Sequence, residues 1–407
     1  MEHNISFSAV ILSALLLSSC NGGVTNDKSI QITDVIDLEG SFDDNFLKSW
    51  DYILLEDDNL DGILANTYKV LYDDGLYFID SRMFNDYSIK VFDSTGHYLN
   101  NIGRMGRARN EFLNIDEWTI DPYRNEVILL NRKGYYASVT IKRYDYQGNY
   151  IGQTETSPLT DQYHIGQVIK CMPDGSILIE NNLGFTPVYE YFYIHPDGTF
   201  STPMELNMNQ MNVDEEGLKM LKRDISLAGD WCGLQLREAF HSIQSDTTLF
   251  MPKLESHIYS LYGDGYKCVA NLSCLPQIPD KKKKNLAYDS FSEDDDLSSV
   301  YEYKDYLYLL YNDDTEYVLE KSTNKMYRMK KDRSKKKKPF QGPPAINGND
   351  LIFPVSTSNI RDELESIAQN SCERSYTPDV MEFFRKAKDH ENPIIVIAHY
   401  RKPEQDR

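Results

Sequence analysis

Ile89-Lys90-Val91-Phe92-Asp93-Ser94-Thr95-Gly96-His97-Tyr98-Leu99 reads as an apolar strand, a polar turn and a second apolar strand, and Tyr144-Asp145-Tyr146-Gln147-Gly148-Asn149-Tyr150-Ile151 repeats the phrase. Polar turns carrying Asp or Asn beside Gly, set between alternating apolar positions, are hairpin signals. A companion phrase is Asp73-Asp74-Gly75 followed by Leu76-Tyr77-Phe78-Ile79-Asp80. Further copies begin at Met172-Pro173-Asp174-Gly175, Ile194-His195-Pro196-Asp197-Gly198 and Leu261-Tyr262-Gly263-Asp264-Gly265. Strand side chains alternate, so Ile89 and Val91 share one face while Lys90 takes the other.

The two phrases return with a combined period of roughly 45 to 55 residues, the length of a four-stranded propeller blade. Between Ile30 and Tyr400 this period gives about six or seven blades. A β-sandwich would need fewer and longer irregular connections. Radial repetition also protects the edges that so many short strands would otherwise expose.

Composition agrees with an all-β class: 41% of the 407 residues are apolar, and 29 Tyr stand against 3 Trp. The formal charge of −20 opposes nucleic acid and anionic lipid headgroups as partners. Two lysine runs, 281–284 and 335–338, read as solvated loops. Helical spacing interrupts the strand rhythm twice, at about 213–225 (Leu218, Leu221, Ile225) and at 359–388, where Ile360, Leu364 and Ile367 line one face and Pro378-Asp379 starts a second helix.

At the N-terminus, an apolar run from Phe7 to Leu17 ends in Ser18-Ser19-Cys20, the pattern of a lipoprotein signal, although Met1-Glu2-His3-Asn4 carries no Lys or Arg. Residues 1–19 are therefore expected to be removed, Cys20 to carry the lipid, 20–29 to be a tether, 30–402 the propeller and 403–407 a tail. The expected site is the outer membrane, on its periplasmic side in preference to the surface, because no acid follows the cysteine before Asp27. Membrane contact is through the lipid alone, and the chain is expected as a monomer.

Five further cysteines, Cys171, Cys232, Cys268, Cys274 and Cys372, make an odd set in an oxidising compartment, and buried free thiols are the default. Cys268 and Cys274 are close enough in sequence to close a small loop. No serine-hydrolase elbow, zinc-protease motif, phosphate loop or complete dinucleotide fingerprint occurs. Acid groups such as Asp57-Asp58 with Asp61 match no EF-hand, so no metal or cofactor is expected beyond a weak case for Ca²⁺.

Four segments carry a family resemblance: Ile53-Leu54-Leu55-Glu56, Tyr77 through Gly96, the loop Ile102-Gly103-Arg104-Met105-Gly106-Arg107-Ala108-Arg109-Asn110-Glu111-Phe112, and Glu391-Asn392-Pro393-Ile394-Ile395-Val396-Ile397. The chain resembles the six-bladed β-propeller lipoproteins, relatives of NHL-repeat propellers, of gut-type Gram-negative bacteria. The resemblance implies a six-bladed propeller with short helical insertions and a C-terminal helical segment before the last strand. In the hallmark loop this sequence has Arg107-Ala108-Arg109-Asn110 where those proteins favour glycines, which removes conformational freedom and adds two guanidinium groups.

That loop gives the best candidate site: Arg104, Arg107, Arg109 and Glu111, with Trp118 as a stacking ring and Asp80, Arg82 and Arg132 converging from neighbouring blades. The competing reading is that these arginines pair with the chain's own carboxylates and lock blade contacts. The preferred function is a non-catalytic, lipid-anchored module binding a glycan, peptide or envelope protein at the channel mouth. A propeller lyase or hydrolase and an envelope scaffold are the alternatives.

Overall fold

The computed structural model describes residues 29–401 apart from 84–85, 133–137, 160–162, 164, 182–189, 203, 206–237, 242, 244–247, 251–256, 263–264, 276–296, 312–314, 331–343 and 370–375, and among the described residues it has twenty-six strands and three short α-helices. The first strands are β1 (Ile30–Gln31), β2 (Val35–Glu39) and β3 (Leu47–Leu54), with helix α1 (Phe42–Phe46) between the last two. Blade 1 is β4 (Asn66–Asp73), β5 (Leu76–Met83), β6 (Asp86–Asp93) and β7 (Tyr98–Ile102). Blade 2 is β8 (Glu117–Asp121), β9 (Glu126–Arg132), β10 (Val139–Asp145) and β11 (Tyr150–Glu155). Blade 3 is β12 (Ile165–Cys171), β13 (Ile177–Asn181), β14 (Glu190–Ile194) and β15 (Met204–Glu205).

The later blades are completed by distant parts of the chain. After β16 (Glu238–His241), blade 4 consists of β17 (Thr248–Phe250), β18 (His257–Tyr262) and β19 (Gly265–Asn271), with β1 added in parallel to β19. Blade 5 is β20 (Leu297–Glu302), β21 (Tyr306–Tyr311), β22 (Glu316–Glu320) and β23 (Lys325–Lys330), flanked by β16 on its inner edge and β2 on its outer edge, both parallel. Blade 6 is β24 (Ala345–Asn347), β25 (Asp350–Val355) and β26 (Ile394–Tyr400), and β3 supplies its fourth, antiparallel strand. The segment Ile53-Leu54-Leu55-Glu56 thus lies at the end of the strand that finishes the last blade. This is a six-bladed β-propeller.

Ring closure is visible in the core. Six apolar clusters each join two neighbouring blades: Phe78 and Val91 meet Trp118 and Leu129, Ile128 and Leu130 meet Ile177 and Phe192, Leu178 and Tyr193 meet Tyr259 and Leu261, Ile258 meets Val300 and Leu309, Tyr306 and Val318 meet Ile346 and Ala398, and Ile352 and Ile395 meet Ile79 and Phe92. Alternate residues of β9 go to opposite neighbours, Val127 and Leu129 toward blade 1 and Ile128 and Leu130 toward blade 3. Both faces of a blade are covered, so a continuous apolar run such as Val127-Ile128-Leu129-Leu130 suits a strand here.

Burial on both faces also explains Lys90 and Lys142, at equivalent positions of β6 and β10. They are only 7% and 8% exposed. The Lys90 ammonium donates to the Asp61 carbonyl, and that of Lys142 to the Arg109 carbonyl at 2.6 Å, each in the connection preceding its own blade. Each lysine buries its stem in the blade and pins an inter-blade loop.

The expected C-terminal helices are α2 (Thr357–Ala368) and α3 (Pro378–Ala387), inserted between β25 and β26. Ser356 and Thr377 cap them by accepting the Asn359 and Val380 amides, and Pro378 opens the second. Ile360, Phe384 and Ala387 pack them on Val355, Ile394 and Val396 of blade 6. The segment expected as helix at 213–225, the two lysine runs and Cys20 lie outside the described residues. No helix among the described residues is long and apolar enough to cross a membrane.

Candidate functional site

In an antiparallel blade the start of the first strand and the end of the second lie at the same rim, so Tyr68 and Lys69 of β4 stand beside Ser81 and Arg82 of β5. The β4–β5 ladder slips between Thr67 and Val70. This bulge turns the amides of Tyr68 and Lys69 out of the ladder, and both donate to Asp80 Oδ1, at 2.8 and 2.6 Å. Oδ2 accepts from Arg82 Nε at 3.0 Å and from the Trp118 indole N–H at 3.4 Å. Asp80 is about 1% exposed, and its charge is matched by Arg82. Buried carboxylates need such a full set of donors.

The Arg82 guanidinium lies 5.0 Å from the centre of the Tyr68 ring, which is 56% exposed. Lys69 crosses to blade 2, its ammonium 2.7 Å from the Trp118 carbonyl and 3.1 Å from Glu117 Oε2. One step further round, Arg132 pairs with Asp116 at 3.5 Å, and the Asn131 side chain donates to the Asn114 carbonyl at 2.7 Å.

The connection from blade 1 to blade 2 closes on itself. Gly106 donates to the Phe112 carbonyl at 2.9 Å, Phe112 to that of Arg104 at 3.1 Å and Glu111 to that of Ala108 at 3.0 Å. The Glu111 carboxylate takes the Ala108 amide at 2.8 Å and Arg104 Nε at 2.7 Å, and the Ala108 amide foremost, with Arg104 behind it, holds its pKa below the usual range. A side chain at Gly106 would collide with that carboxylate, and one at Gly103, where φ is +60°, with the Tyr144 ring. From blade 2, Lys142 holds the Arg109 carbonyl and the Tyr144 hydroxyl the Asn110 carbonyl at 3.1 Å. Arg107 and Arg109 are exposed at the tip, and their guanidinium groups have no partner among the described residues.

A family model described as "Domain of unknown function (DUF4934)" matches residues 30–399. The chain belongs to the DUF4934 family. No curated protein sequence matches it. Among solved structures, it is similar to a protein of Bacteroides fragilis NCTC 9343 described as exported, at 12% identity and a TM-score of 0.60, with 91% of this chain and 100% of that one covered. At that identity the likeness shows the fold alone. It also has weak similarity, with a TM-score of 0.35, 9% identity and 75% and 32% of the two chains covered, to PorZ of Porphyromonas gingivalis, a surface component of the type-IX secretion system.

The DUF4934 propeller brings some expected residues together and keeps others apart. Asp80, Arg82 and Trp118 meet directly, and Arg132 follows in the next blade. Arg104 and Glu111 form a separate pair, linked to the first group where the Tyr87 amide, across the ladder from Arg82, meets the Met105 sulfur at 3.0 Å. Trp118 is fully buried, so its ring offers no stacking face to a ligand; Tyr68, which sequence reading missed, does. Its signal was a Tyr-Lys pair facing an Asp-Ser-Arg at the end of the next strand. Arg82, Arg104 and Arg132 are each spoken for by a carboxylate, which leaves Arg107 and Arg109. Among the described residues Cys171, Cys268 and Cys274 form no disulfide, and Cys232 and Cys372 lie outside them. Among the described residues no group of three or more His, Cys, Asp or Glu is arranged to hold a metal ion.

Proposed function

We propose that this chain is a non-catalytic binding module of the cell envelope, anchored through lipid on Cys20, that takes an acidic glycan or peptide on the rim of blades 1 and 2. The observation that carries the reading is the loop of residues 103–112, which is locked on itself and to blade 2 while presenting Arg107 and Arg109 unpaired. In a chain of net charge −20, two guanidinium groups without carboxylate partners among the described residues favour carboxylate or sulfate ligands. A loop already fixed in place loses little entropy on binding. The exposed Tyr68 ring, backed by Arg82, adds a stacking surface on the same side. An exported fold-neighbour and the lipoprotein-like N-terminus support an envelope location, with the periplasmic side of the outer membrane preferred.

A thermal-shift screen against neutral, uronate-bearing and sulfated glycans and acidic peptides, with and without Ca²⁺, tests this. A ligand at about 100 times its Kd adds about 2.7 kcal/mol of stability. Acidic members alone should shift the transition, and the double variant Arg107→Ala, Arg109→Ala should lose that shift at an unchanged melting temperature. Equal binding by that variant would overturn the site.

A further inference from the structure

The end of closing strand β3 and the turn after it meet a histidine at three places. His399 of β26 stands between two carboxylates, its Nδ1 2.8 Å from Asp350 Oδ1 on β25 and its Nε2 3.0 Å from Asp51 Oδ2 on β3. A neutral imidazole has one N–H and can donate to only one of them, whereas the cation donates to both. The row Asp350, His399, Asp51 therefore ties three strands together in full only when the ring is protonated. His97, in the outer turn of blade 1, reaches the Glu56 carboxylate through Nδ1. His390, after α3, stands with Nδ1 3.1 Å from Asp57 Oδ2.

Asp51, Glu56 and Asp57 all belong to the segment that shuts the ring. The other groups facing these imidazoles are mostly acids or phenols. Tyr72 and Tyr77 lie within the field of Asp350, and Tyr77 within that of Asp51. Asp93 accepts the His97 amide, and Asp57 also accepts the Glu391 amide. Two residues before His390 in the chain, the Lys388 carbonyl accepts from Arg361. Burial draws the His399 pKa down, but the hydrogen bonds it donates to Asp350 and Asp51 outweigh it and leave the ring above its ordinary value.

We infer that ring closure is an acid-tightened latch: protonation of His399, set between Asp350 and Asp51, strengthens the hold on β3, so the propeller shuts more firmly below neutrality than above it. The sign follows from linkage. A pKa raised by folding gives stability that is fully present below the unfolded value of about 6.5 and is lost as pH rises through the folded value.

Native-state hydrogen exchange on the whole chain at about pH 5.5 and about pH 8, corrected for intrinsic rates, tests the latch by comparing β3 with β9. The protection of β3 relative to β9 should fall with rising pH, by up to about tenfold for each unit by which folding raises the pKa. His399→Gln should remove most of that change. A ratio that does not move with pH, or that moves equally in His399→Gln, overturns the inference. Should that variant not fold, Asp51→Asn serves instead, since Asp51 is 64% exposed. It should reduce the pH dependence, and an unaltered dependence would likewise overturn the latch.

Discussion

The Glu56 amide donates to the Gly96 carbonyl at 2.8 Å, fastening the end of the ring's closing strand to the outer turn of blade 1. The same joint recurs inside the chain, where the Ser157 amide donates to the Gly198 carbonyl at 3.3 Å. In each case the turn glycine sits against a carbonyl at the end of the previous blade's outer strand, Leu54 for Gly96 and Glu155 for Gly198. The seam where the ring closes is built like a continuous joint.

This joint fixes the effect of adding a methyl group. Gly96 (φ +88°) and Gly75 (φ +79°) both adopt left-handed backbone, but only at Gly96 would a Cβ meet the Leu54 carbonyl, while Gly75 faces open space. Gly75→Ala should cost about 1 kcal/mol and Gly96→Ala about 2–4 kcal/mol in denaturant unfolding. Equal costs would show that the seam can give way.

Asp80 should behave as a structural node. Replacing it with Ala strands Arg82, two bulge amides and the Trp118 indole, and should cost about 3–5 kcal/mol. Arg82→Lys keeps the charge and loses the fork, so calorimetry should show a smaller loss. A silent Asp80→Ala would mean that water or a neighbour takes its place.

Lys142 and Tyr144 should control the stiffness of the basic loop. With Lys142→Met and Tyr144→Phe combined, trypsin should cut after Arg107 or Arg109 faster than in the parent chain, and acidic ligands should bind more weakly. Stability should fall by about 1–3 kcal/mol. Arg107→Ala alone should leave stability within about 0.5 kcal/mol. Cleavage at equal rates would separate loop rigidity from these two tethers.

Asp37 fastens β2 to blade 5. Hydrogen bonds from Arg328 at 2.8 Å and then from Lys330 lower its pKa to about 2. Because folding depresses this pKa, the stabilisation is present above the unfolded value of about 3.9 and fades as pH falls toward the folded one. A carboxyl NMR titration should place Asp37 near that value and move it upward in Arg328→Gln.

The hairpin phrases, their spacing and the two C-terminal helices were legible because each depends on a few neighbouring residues: turn glycines, alternation, caps. Pairings across the chain were not. Nothing local in Ile30-Gln31 points to Ala270 and Asn271, its partners on β19, or places Glu238 beside Ser299. The candidate residues read as one set in the sequence, whereas the fold gathers Asp80, Arg82 and Trp118 and holds Arg104 and Glu111 as a separate pair. Whether Arg82 or Arg107 is paired depends on which carboxylate the fold brings near, and Lys90 reads as a surface residue until both blade faces are known to be covered.

The strap formed by β1, β2 and β3 has a consequence in time. These strands are made before the blades they join, and their partners in blades 4, 5 and 6 follow more than two hundred residues later. Until then the leading segment has no sheet to join. Long-range pairing of this kind is slow and leaves edges open to other chains. What is synthesised first is fastened last, and a chain halted before Tyr400 would carry an unclosed ring.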